Sequence, residues 1–138
     1  MNRRHERRAR ARALQALYAC DVRGVSRLDR VASTVFDDLG VEPGERALAM
    51  ALIGEVVARG PELDAALKSV TSNWRLERLG AIERSLLRLG AAELARGDTP
   101  PRVVLQEAVR LAERFGGLES ARFINGVLDA VARAAGRL

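Results

Sequence analysis

Hydrophobic positions recur at three- and four-residue intervals along nearly the whole chain, and no stretch alternates singly for long enough to make a strand. Ala9, Ala11, Ala13, Leu14, Leu17 and Tyr18 predict a first helix over about 3–22, and Leu28, Val31, Ala32, Val35, Phe36 and Leu39 a second over about 28–39. Leu48, Leu52, Ile53, Val56 and Val57 mark a third over about 43–59, and a fourth follows over about 61–72. Beyond a helical turn after Trp74, Leu79, Ile82, Leu86, Leu89 and Leu94 share a helix face. Leu105, Ala108, Val109, Ala112 and Phe115 do so over about 101–115, and Phe123, Ile124, Val127, Leu128 and Val131 mark the last helix.

Breakers agree with these divisions. Gly40 closes the second helix, Pro43 opens the third, and Gly60-Pro61 separates the third from the fourth. Gly97-Asp98-Thr99-Pro100-Pro101 is the strongest turn signal, with Thr99 the expected N-cap of the helix after it; Ser120 is the expected cap of the last one. The expectation is an all-α, compact fold of about seven helices in one domain over 1–138.

Composition changes the picture at one end only. Six arginines within residues 1–12, Arg3, Arg4, Arg7, Arg8, Arg10 and Arg12, face one acid, Glu6, and account for the whole formal net charge of +5; residues 13–138 are balanced. A neutral body with one cationic end focuses its field on polyanions. The placement opposes the helix dipole, and Arg3/Arg7, Arg4/Arg8 and Arg8/Arg12 are like-charge pairs one turn apart. Two readings follow: a frayed, solvated tail, or an arginine-rich arm over 1–12 that orders on phosphates.

Catalytic chemistry finds little support. The only histidine, His5, lies in the basic run, and the only cysteine, Cys20, lies in a helix where a small buried hydrophobe suffices. One Cys and one His cannot close a zinc site or a disulfide, and no phosphate-binding glycine loop is present. No cofactor and no enzymatic activity are expected. No apolar run is long enough to span a membrane, which with the lone cysteine suits a reducing cytoplasm. Acidic side chains such as Glu45, and the Glu107/Arg110 pair, are expected on solvent-facing helix surfaces.

Three stretches stand out. Trp74 sits among cations, as a stacking residue or a core anchor would. Gln106-Glu107-Ala108-Val109 reads as an ordinary amphipathic helix. In Arg122-Phe123-Ile124-Asn125-Gly126-Val127-Leu128-Asp129, a mid-helix glycine costs about 1 kcal/mol, so Gly126 is expected where two helices nearly touch.

That last stretch resembles a signature of the NusB family of bacterial transcription antitermination factors. The resemblance extends through Ala11-Arg12-Ala13-Leu14-Gln15-Ala16-Leu17-Tyr18, Leu52-Ile53-Gly54-Glu55-Val56-Val57 and Glu83-Arg84 with Leu87-Arg88-Leu89. It continues through Glu93-Leu94 and the helix bearing Glu107-Ala108-Val109, in the family's order over nearly the whole chain. Ala92 and Gln106 depart from it, standing where Tyr and Asn are common.

The resemblance implies two small packed helical bundles. It implies binding, together with the small ribosomal-subunit protein NusE, to boxA RNA of nascent ribosomal transcripts within the antitermination complex of RNA polymerase. It puts Arg3, Arg4, Arg7, Arg8, Arg10, Arg12, Tyr18, Arg122 and Phe123 on the RNA side and Glu83 on the NusE side, and leaves room for a homodimer in the partner's absence. Two alternatives stay open: a helical homo-oligomeric interaction module, and a stand-alone relative of the NusB-like domain of ribosomal RNA methyltransferases. The latter chains continue into a large α/β domain that 138 residues cannot contain.

Overall fold

The computed structural model describes residues 3–23, 27–71 and 76–138, so Trp74 lies outside the described residues. Within them the chain forms seven α-helices and one 3-10 turn, with no strand: α1 Arg3–Arg23, α2 Leu28–Leu39, α3 Pro43–Ala58 and α4 Gly60–Val70. After the turn Leu76–Arg78 come α5 Ala81–Arg96, α6 Pro101–Phe115 and α7 Leu118–Ala134.

The breakers act as their chemistry dictates. Gly40 and Gly97 take left-handed conformations at the ends of α2 and α5, and prolines occupy the first turns of α3, α4 and α6. Two expected caps are corrected. Pro100 is the residue before α6 and Gly117 the residue before α7, neither with a side-chain cap: Thr99 stands one position ahead of the cap, and Ser120 is already the third residue of its helix. The Ser120 hydroxyl is spent on another helix instead, donating to Glu83 of α5.

Helices α1, α2 and α3 pack on one another, as do α5, α6 and α7 with α4 alongside; contacts of α5 with α1 and α3 join the two groups. Small side chains make this possible. Ala9, Ala11, Ala13 and Ala16 are buried around α1 together with Leu14 and Leu17, letting α2, α3 and α5 approach it on several sides. Phe36, Ile53, Leu67, Leu86, Leu87, Ile124 and Leu128 fill the space between.

Gly126 is a further correction. It is exposed, and a Cβ built there meets nothing within 4 Å. The close approach is at Gly90 of α5, where a Cβ would fall 2.5 Å from Leu128 Cδ1 and 3.0 Å from Cδ2.

Candidate nucleic-acid interface

The six arginines of α1 have different fates, decided by which side of the helix each occupies. Arg10 is 5% exposed, and its Nε donates to Glu93 Oε1 on α5 at 2.6 Å. Arg7 Nε donates to Glu107 Oε1 on α6 at 3.0 Å, and Arg8 Nη1 to Glu45 Oε1 on α3 at 3.4 Å. Arg12 Nη1 donates to Gln15 Oε1 at 3.0 Å. Arg3 and Arg4 are exposed and make no ion pair with another described residue.

Three glutamates from three helices therefore meet three of the six cations. Glu45, Glu93 and Glu107 are only 4–6% exposed, contrary to the solvent-facing placement expected for Glu45 and Glu107. Burying a carboxylate demands a partner, and α1 supplies it. The dipole and like-charge penalties of the arginine run are offset by tertiary ion pairs that local sequence cannot show. One signal was available: each of these acids stands in the apolar register of its helix, Glu45 before Ala49 and Leu52, Glu107 between Val104 and Leu111.

Burial pushes the Glu93 carboxyl above its ordinary range even with the Arg10 guanidinium beside it, and nearby Glu6 and Glu107 push the same way. Burial likewise raises the Cys20 thiol, helped by Asp21, so that it stays protonated and weakly nucleophilic. His5 Nε2 lies 3.5 Å from Glu42 Oε2 at the start of α3, and the ligating atoms of His5, Glu42 and Glu45 fall within 4.8 Å of one another. Arg8 already occupies Glu45 there, and both acids sit where the α3 dipole favours negative charge.

Among the described residues, one side of α1 carries the exposed Arg4, Arg8 and Tyr18 with the half-buried Gln15 between them. Arg4, Arg8, Gln15 and Tyr18 follow one another at i, i+4, i+11 and i+14, which places them within about 80° of one another on a helix turning 100° per residue. Tyr18 is 42% exposed. The distance from Arg4 to Tyr18 along the axis is roughly 21 Å, at 1.5 Å per residue. Arg122 is exposed on α7, whereas Phe123 is half-buried against the core. Helix α7 packs on α6, α5 and α4, and α6 carries the Glu107 that receives Arg7, so the outer surface of α6 separates the α1 arginines from Arg122. Glu83 lies in the first turn of α5, half-buried, with its carboxylate held by Ser120.

A family model for NusB matches residues 7–133. The chain belongs to the NusB family. The transcription antitermination protein NusB of Anaeromyxobacter dehalogenans is 42% identical over 128 residues, spanning 91% of this chain and 88% of that protein. NusB of Sorangium cellulosum is 42% identical over 130 residues, spanning 94% and 92%. Among solved structures, a complex of the antitermination factors NusB and NusE with double-stranded RNA contains a chain that superposes with a TM-score of 0.85 at 29% identity, covering 96% of this chain and 99% of that one. The NusB fold is thus present over nearly its full length, with no described helix long and apolar enough to cross a membrane.

Proposed function

We propose that this chain is an RNA-binding transcription antitermination factor. It would pair with NusE, bind boxA-type RNA and act within the RNA polymerase antitermination complex in the bacterial cytoplasm, by binding and without catalysis. Family membership supports the class of function. The observation that carries the RNA assignment is the open face of α1, where Arg4, Arg8 and the exposed Tyr18 share one side, with Arg3 at its end.

Roles divide along burial. Arg3, Arg4, Arg8 and Arg122 contact phosphates, and Tyr18 stacks on a base. Arg7 and Arg12 border the face, and Phe123 is assigned to the RNA side beside Arg122 on α7. Arg10 contributes by fixing α1 to α5, since its guanidinium is committed to Glu93. Glu83 belongs to the partner side.

A titration of boxA RNA against a scrambled control, with and without NusE, tests this. With three to four phosphates held, log affinity falls against log salt with a slope of roughly −2 to −3, at about −0.7 per phosphate on a single strand. Replacing Arg3 and Arg4 by Ala flattens the slope by roughly 1.4 on the same scale. Tyr18→Ala lowers affinity by about 1–3 kcal/mol and leaves the slope unchanged. Equal affinity for the scrambled RNA in the presence of NusE overturns the assignment.

A further inference from the structure

A groove of about 500 Å³ runs between α6 and α7, with Leu105, Val109, Leu118 and Ala121 forming its apolar lining and Gln106, Glu113, Arg122 and Asn125 its polar one. Leu118 is 70% exposed at its mouth. The Gln106 and Asn125 amides are exposed on opposite helices and make no hydrogen bond to another described residue, so their donors and acceptors are unspent.

Two further observations bear on what occupies it. Gly126, beside Asn125 and one turn beyond Arg122, weakens α7 without any packing reason among the described residues, since a Cβ there meets none of them within 4 Å. A bare backbone at an exposed helix position admits close approach by a partner. The outer face of α6 presents Arg102, Gln106, Arg110 and Arg114 at four-residue spacing, all exposed. Arg110 Nε lies 4.0 Å from Glu107 Oε2, the same carboxylate that receives Arg7 of α1. The cationic face of α1 therefore continues across α6 to the groove, which carries Arg122 on its far wall.

Resting on the RNA reading above, we infer that the α6/α7 groove is a nucleotide subsite that takes one unstacked base of the single-stranded RNA whose neighbouring phosphates lie on α1 and α6. The apolar lining accepts the base, the Gln106 and Asn125 amides read its edge, and Arg122 holds its phosphate. Glu113 accepts from a base N–H and repels phosphate, which orients the nucleotide with its backbone toward Arg122 and Gly126.

The test uses the full chain with NusE and a series of boxA-containing RNAs, each carrying one abasic nucleotide, against wild type and the Gln106→Ala/Asn125→Ala double variant. Loss of two hydrogen-bonding amides is expected to weaken binding of intact RNA about tenfold. At one nucleotide position the abasic RNA should bind both proteins equally, because base and amides are lost together. Losses that simply multiply at every position, while wild type still binds and Arg3/Arg4 substitution still flattens the salt slope, overturn the subsite and leave the RNA reading standing. Absence of RNA binding by wild type with NusE overturns both. If the double variant instead loses NusE in the absence of RNA, the groove belongs to a protein partner and the inference fails.

Discussion

Arg10 Nε lies 2.6 Å from Glu93 Oε1 with both side chains more than nine-tenths buried, so a cation from the most basic stretch of the sequence ends in the interior between α1 and α5. Removing one member of such a pair strands the other. Arg10→Ala is expected to destabilise the fold by about 3–5 kcal/mol in denaturant unfolding at neutral pH. Arg3→Ala and Arg4→Ala, on exposed side chains, should stay within about 0.5 kcal/mol of wild type. An Arg10 variant as stable as the Arg3 variant would mean the pair adds nothing to the fold.

The same pair gives a pH dependence whose sign is fixed by burial. The Glu93 carboxyl is held above its ordinary 4.5 by desolvation, so the folded chain binds this proton more tightly than the unfolded chain. The stability this contributes is full below the ordinary value and is lost as pH rises through the raised one. Glu93→Gln keeps the shape and lacks the titration. Stability of wild type relative to Glu93→Gln should therefore fall as pH is stepped upward from 4.5, read by melts of both proteins in parallel. A difference that grows in favour of wild type would show Arg10 outweighing burial.

Gly90 and Gly126 reverse the expectation that sequence alone supports. Gly90→Ala drives a methyl group against three side-chain carbons of the fully buried Leu128, so overpacking should cost about 1–3 kcal/mol. Gly126→Ala meets open space and should stabilise by about 0.5–1 kcal/mol through helix propensity. Thermal melts of the two variants should move in opposite directions; a destabilised Gly126→Ala would restore the close-approach reading.

Those two glycines also show where the sequence was legible. Helix positions followed from apolar periodicity, and helix ends from Gly40, Gly97 and the early prolines, because these act through local backbone chemistry. Which glycine faces a neighbour depends on how α5 and α7 are paired, and no local pattern encodes that. Arg10 and Arg4 are the same residue type six positions apart, yet one is core and the other surface. The difference lies in Glu93, 83 residues away from Arg10, whose apolar register was the one available clue. Tyr18 entered through the family resemblance alone, although its alignment with Arg4 and Arg8 is a property of a single helix.

The partner side is tested at Glu83, whose carboxylate accepts from Ser120 while sitting in the first turn of α5. Glu83→Lys reverses a charge there and should weaken co-elution with NusE while helical circular dichroism is retained. The substitution also removes a bond between α5 and α7, so a second variant is needed. Ser120→Ala deletes that bond alone, at about 1 kcal/mol of stability, and leaves the Glu83 charge in place. If Glu83 meets NusE directly, Ser120→Ala keeps the complex and Glu83→Lys loses it. Equal losses would show that Glu83 acts only by holding α5 against α7, and full retention by Glu83→Lys would move the partner face elsewhere.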